Sequence, residues 1–211
     1  MMEKQPAVTF IIPLYNAAET LERTLASVTA QTVRDVEVLL VDDGSTDGTL
    51  AAVQMYKEEH PDLPITVFFN GENHGLYYTM NRLLEDAHGE YFHQHNSDDY
   101  VDTAAYNCLI DRLGDMDVLC MDMRVNDGTV WAVTEDTNRI HCAQAVRMIR
   151  KSFVEGLKFN EQMKAAADWY YAEEMLERNP TIVYSREIAY MYNFPREGSL
   201  VNLRARGIIG E

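Results

Sequence analysis

The sequence predicts an α/β fold, a right-handed, mostly parallel sheet with helices on both faces. Three observations carry this expectation. Short apolar, β-branched runs recur at residues 8–12, 36–41 and 65–69, the continuous pattern of strands buried on both faces. Segments with helical spacing separate them, so strands and helices alternate through the first half of the chain. Polar clusters rich in Asp, Asn, Ser and Gly follow the strands, and functional loops of open α/β sheets lie beyond the strands' carboxyl ends.

Val8, Thr9, Phe10, Ile11 and Ile12 form the first strand, stopped by Pro13. Asn16-Ala17-Ala18-Glu19 has the Asn-x-x-Glu form of a capping box, and Leu21, Leu25 and Val28 supply helical spacing. After the second strand, Asp42-Asp43-Gly44-Ser45-Thr46-Asp47-Gly48 forms a turn whose Asp47 caps a helix reaching about residue 59. The third strand, 65–69, leads to a helix over 76–87 and then to a strand over 90–95. The second half is less regular. It reads as a helix over 103–113, a strand over 118–123, a hairpin around Asn126-Asp127-Gly128, helices over 143–150 and 168–178, and strands over 181–184 and 188–192.

A chain of 211 residues suits one domain with a substantial core. Asp and Glu outnumber Lys and Arg by 34 to 18, a formal charge of -16, which argues against nucleic acid as a partner. A small anionic substrate remains compatible where a cation or helix ends offset the acidic field. Cys108, Cys120 and Cys142 show no Cys-x-x-Cys spacing, so neither a disulfide framework nor a structural zinc site is indicated and a cytoplasmic setting is expected. No apolar run approaches the ~20 residues that cross a bilayer, so no transmembrane segment is expected. Peripheral membrane contact stays open, although the acidic balance disfavours anionic lipid surfaces.

Adjacent carboxylates at Asp98 and Asp99, just past a strand, are the strongest chemical signal. Like charges about 4 Å apart repel by about 4 kcal/mol at an effective dielectric of about 20, so both stay ionised in a pocket only if something positive joins them. A divalent cation, magnesium or manganese, fits, and such ions complete their shells with phosphate oxygens. The site therefore suggests a nucleotide substrate. The competing reading is a polar turn that caps the next helix. His93 and His95 share one strand face at a spacing compatible with metal binding, but no third ligand is evident, and hydrogen-bonded strand histidines are the commoner case.

Together, residues 8–16, the stretch from Val38 to Thr49, Gly89-Glu90-Tyr91 and Ser97-Asp98-Asp99 resemble the family-2 glycosyltransferases of GT-A fold. The likeness continues more loosely through Phe159-Asn160-Glu161 and Ala167-Asp168-Trp169 to Arg196-Glu197-Gly198-Ser199. The resemblance implies a single domain over 1–211, with a nucleotide-binding half over about 1–100 and an acceptor-binding half over about 101–211. It implies inverting, metal-dependent transfer of a sugar from a nucleoside diphosphate donor, most often a UDP-sugar, to a glycan or lipid-linked acceptor. Pro13 and Tyr15 would carry the base, and Asp43 would accept hydrogen bonds from base or ribose while Asp42 holds the turn. Asp98 would lie near ribose and metal, Asp99 on the metal, and Asp168 would take the acceptor proton. Asn81 matches a donor-binding position, and Arg196 matches a pattern that approaches the diphosphate.

Three positions depart from the family pattern: Asn96 stands for the first Asp of the metal motif, Ala167 for a Glu before the catalytic Asp, and Met80 for an Arg. These departures keep open a second reading, a catalytically weak protein that binds nucleotide-sugars. A sugar nucleotidyltransferase needs a Gly-rich basic loop after the first strand, and a dinucleotide-dependent dehydrogenase needs Gly-x-Gly-x-x-Gly there. Pro13-Leu14-Tyr15-Asn16-Ala17-Ala18-Glu19 supplies neither.

Overall fold

A computed structural model describes residues 5–31, 35–133, 144–163 and 166–194. The first half alternates as β1 (Val8–Leu14), α1 (Leu21–Thr29), β2 (Val36–Asp42), α2 (Thr49–Glu59), β3 (Ile65–Phe69), α3 (Leu76–Asp86) and β4 (Tyr91–Gln94). β1 lies between β2 and β4, all parallel, with Phe10 opposite Val38 on one side and His93 on the other. That central place explains its run of apolar residues: Val8, Phe10, Ile11 and Ile12 are wholly buried because helices cover both faces. β3 extends the sheet from β2. In α1, Leu21, Leu25 and Val28 are buried on one stripe, as their spacing predicts.

The second half adds β5 (Tyr100–Val101), α4 (Thr103–Ile110), β6 (Val118–Val125), β7 (Val130–Trp131), β8 (Arg147–Arg150), α5 (Ala167–Glu177) and β9 (Ile182–Tyr192). One continuous sheet results, in the order β3-β2-β1-β4-β8-β6-β9-β5, with β7 paired to β6. β8 runs antiparallel to both β4 and β6, and β6 runs parallel to β9. The expected parallel half is thus joined to a mixed half, which turns the sheet into the curled α/β platform of GT-A type. Among the described residues no helix is long and apolar enough to cross a membrane.

Several local expectations are corrected. Pro13 does not stop β1 but pairs in register with Val41. The Asn16 capping box does not form, since Asn16 adopts a positive φ of 50° and its side chain accepts the amide of Thr46 instead. The expected helix over 143–150 is, in its described part, a 3-10 turn at Gln144–Val146 followed by β8. An apolar run buried on both sides, as Val146, Met148 and Ile149 are, reads equally as buried helix or strand. The strands expected at 181–184 and 188–192 are one strand, β9, irregular opposite Cys120–Asp122.

Gly44 shows how tightly the turn after β2 is packed. It has φ +72°, and a Cβ there would lie 2.6 Å from the Glu72 carbonyl carbon and 2.7 Å from the Asn73 nitrogen. Gly44→Ala is therefore expected to cost about 2–4 kcal/mol, from left-handed strain plus backbone overpacking. Urea denaturation measures it, and a loss below about 0.5 kcal/mol, the usual surface range, would show that the turn relaxes.

Candidate active site

The carboxyl ends of β1 to β4 lie along one edge, and the loops leaving them are bound to each other. Asp43 N donates to Leu14 O, Asn70 N to Asp42 O and His95 N to Ile11 O, each within 3.0 Å. After β1, Asn16 N donates to Ser45 Oγ (3.0 Å), Ala17 N to Thr49 Oγ1 (2.7 Å) and Ala18 N to Asp47 Oδ2 (3.2 Å). The start of α1 then grips the acidic loop. Thr20 Oγ1 donates to Ser97 O (2.8 Å), Arg23 Nη2 to Asp98 O (2.9 Å) and Thr24 Oγ1 to Asp99 O (2.7 Å). Residues 15–24 are thus the hub joining the 42–49 turn to the 96–99 loop. Tyr15, 50% exposed, sits on this hub, with Pro13 half-buried behind it.

Each acidic pair divides its work. Asp43 is buried and accepts three hydrogen bonds, from Asn70 Nδ2 (2.7 Å), His74 N (3.0 Å) and Gly75 N (2.9 Å). It holds the loop that leads into α3. Asp42 is also buried; its Oδ2 accepts Ser45 N (3.2 Å), while its Oδ1 has no hydrogen-bond partner.

Asp99 is wholly buried and accepts Asn96 Nδ2 (2.8 Å), Tyr190 Oη (2.5 Å) and Asn193 N (2.8 Å). Burial, reinforced by the neighbouring Asp98 charge, pushes its carboxyl up to about 6 despite those donors. Its Oδ1 carries one donor and its Oδ2 two, which ties the 96–99 loop to β9. Asp98 is half-buried beside it.

Asp168 lies in the first turn of α5, half-buried, where the helix dipole favours a carboxylate. Among the described residues no hydrogen bond reaches its side chain, and its backbone O accepts Gln144 Nε2 (3.0 Å). Asn81 is buried, with its amide spent inside the protein: Nδ2 donates to Phe159 O (2.9 Å) and Glu161 Oε1 (2.8 Å), and Oδ1 accepts Phe159 N (2.8 Å). It therefore ties α3 to the 159–161 loop. Arg196 lies outside the described residues.

His93 and His95 are core residues. Both are wholly buried; His93 Nε2 meets Ala145 O and Nδ1 meets Tyr106 Oη, each at 2.7 Å. His95 Nδ1 donates to Asn96 O (2.7 Å). Burial holds both rings neutral, lowering His93 to about 4 and His95 to about 3, the latter helped by its neighbour His93. No cluster of three His, Cys, Asp or Glu suited to a metal occurs among the described residues.

Sequence reasoning missed Tyr190, Asn193, Asn70, Tyr77 and Gln144, whose roles arise from partners far along the chain. A cavity of about 640 Å³ opens at the other end of α3, lined by Leu84, Glu85, Gly89, Lys151 and Tyr171 among others. Of the expected site residues its lining includes Asn81 and none of Tyr15, Asp43, Asp98 or Asp168.

A curled sheet with carboxylates gathered beyond its parallel strands defines an α/β protein of GT-A type. Residues 9–178 match the model of glycosyl transferase family 2, and the chain belongs to that family. It is 32% identical over 121 residues to a chondroitin synthase of Escherichia coli, a match covering 57% of this chain and 17% of the relative. Its fold is shared by S. aureus TarS 1-349 in complex with UDP-GlcNAc (TM-score 0.76, 24% identity, 92% of this chain and 60% of that one). It is shared too by the mannosyltransferase PcManGT of Pyrobaculum calidifontis in complex with GDP-Man and Mn2+ (TM-score 0.73, 22% identity, 99% and 66%). The chain thus spans less than a fifth of the curated relative's length.

Proposed function

We propose that this chain moves a sugar from a nucleoside diphosphate donor, a UDP-sugar, to an acceptor hydroxyl in polysaccharide or glycan assembly, by a single inverting displacement. The observation that carries this reading is the joining of the 15–20, 42–49 and 96–99 loops at one sheet edge in a family-2 chain. The chondroitin synthase relative, the UDP-GlcNAc complex of TarS and the GDP-Man complex of the mannosyltransferase support donor and product class.

Tyr15 and Pro13 offer an apolar shelf for the base. Asp43 is engaged by Asn70, His74 and Gly75, and Asp42 Oδ1 is buried without a hydrogen-bond partner. The base or ribose contact stays assigned to Asp43, with Asp42 holding the turn through Ser45 N.

The carboxylate that fits a cation is Asp98, half-buried at the loop tip. One carboxylate with waters and substrate phosphates is a common way to hold magnesium or manganese. When bound, that ion offsets charge developing on the leaving diphosphate. Asp168, near the acceptor side, takes the acceptor proton as the new bond forms. Arg196 adds a cation toward the diphosphate.

UDP release from a panel of UDP-hexoses and UDP-N-acetylhexosamines with manganese tests the reading. Asp98→Asn is expected to slow release by about 10²- to 10³-fold, the scale of losing one charge-stabilising group, and chelation to abolish it. Release untouched by both changes removes the metal role. UDP binding without release from any donor favours the catalytically weak binder, consistent with Asn96 and Ala167 replacing carboxylates.

A further inference from the structure

The first turn of α3 is where the two halves of the site meet. Just before it, His74 N and Gly75 N donate to the Asp43 carboxylate. At its second residue, the buried Tyr77 hydroxyl accepts the amide of Ala167 (3.3 Å), the opening residue of α5. One turn further on, Asn81 binds both the N–H and the C=O of Phe159. Phe159 stacks between Tyr77 (centroids 5.9 Å apart, planes 14° apart) and Tyr171 of α5 (4.2 Å, 10°). α3 is therefore a strut with the donor-side loop on its tip, joined to the start of α5 by Tyr77 and to Tyr171 through Phe159.

α5 needs such support. A helix opens with four amides that have no acceptor inside it. Here the preceding residue, Ala166, has no capping atom and a left-handed backbone, φ 61°. Tyr77 takes one of those amides from outside, and Gln144 Nε2 holds the Asp168 carbonyl from the other side. The next residue after the Tyr77 contact is Asp168.

We propose that Tyr77 is a positioning residue for Asp168: its hydroxyl pins the first amide of α5 so that the Asp168 carboxylate keeps a fixed place relative to the loop held by Asp43. This rests on the reading of Asp168 as the base. The tyrosine suits the task because its ring stacks on Phe159 while its hydroxyl reaches the first amide of α5. Misplacing a reacting group by about 1 Å can cost about 10²-fold in rate, so a single hydrogen bond at this hinge matters to turnover without touching substrate.

The test is Tyr77→Phe, which keeps the ring and removes only the oxygen. UDP release with the panel above and manganese is expected to show kcat lowered about 5- to 50-fold with donor KM within about twofold, and a displaced acid limb in the kcat–pH profile. Amide exchange at Ala167 is expected to quicken while the later amides of α5 stay protected. Unchanged kcat, or kcat and KM worsening together with a fall in Tm, overturns the positioning role. Wild-type protein that releases no UDP from any donor removes the base reading itself. In that event the exchange arm still decides the contact: equal Ala167 exchange in both proteins overturns it, and faster exchange in Tyr77→Phe upholds it.

Discussion

Asp168→Asn is expected to slow sugar transfer by about 10²- to 10⁴-fold, the range for loss of a general base, with donor KM changed by no more than about twofold. The substitution keeps size and shape, and no hydrogen bond among the described residues is made by the side chain, so the loss falls on proton transfer and not on packing. The dipole of α5 stabilises the carboxylate by only about 0.3–1 kcal/mol, which bounds the damage to folding. Steady-state kinetics with a donor from the UDP-sugar panel, alongside thermal unfolding, separates the two effects. A variant that loses that much stability and keeps its rate assigns Asp168 to the helix dipole alone, and the base must then be sought elsewhere on the same edge.

The parallel half of the fold was legible because its strands are buried on both faces. Phe10, Ile11 and Ile12, or Val38 to Val41, have no polar alternation to mislead, and the first run is followed by a helix with a clear stripe. The mixed half was not, since β8 reads as an apolar run whose type is decided by β4 and β6 on either side of it. In the site, the sequence placed the acidic pairs on loops that meet at one edge, but not the partners that the fold gives each carboxylate. Which of Asp42 and Asp43, or of Asp98 and Asp99, turns inward depends on Asn70, Gly75, Tyr190 and Asn193, up to 94 residues away. The His93 and His95 spacing likewise shows a shared face, while their burial comes from Ala145, Tyr106 and Tyr190 closing over it.

Those two histidines set the second large effect: acidification from pH 7 to pH 5 is expected to remove about 2–3 kcal/mol of folding stability. Their folded values, about 4 for His93 and about 3 for His95, lie below the ordinary histidine value of 6.5 because burial opposes the charged ring. Protons therefore bind the unfolded chain first. The stability is fully present above pH 6.5 and is lost as the pH falls through the folded values, at about 1.4 kcal/mol per histidine per pH unit. By pH 5 the pair accounts for about 4 kcal/mol of loss. Asp99 acts in the other direction: its folded value of about 6 lies above the ordinary 3.8, so protonating it favours the folded state. It returns about 1 kcal/mol over the same interval, too little to cancel the histidines. His95→Phe isolates the cause. The ring sits among Phe10, His93 and Tyr190, its Nε2 is buried without a partner, and Asn96 O keeps the amide of Asp99 when Nδ1 is gone. Urea titrations at pH 7, 6 and 5 are expected to show the variant losing about 2 kcal/mol less than the wild type, since one of two titrating rings is removed. Equal losses in the two proteins, or a wild-type stability that does not fall between pH 7 and 5, would mean that protons reach these rings in the folded state and that the core around Phe10 is open to water.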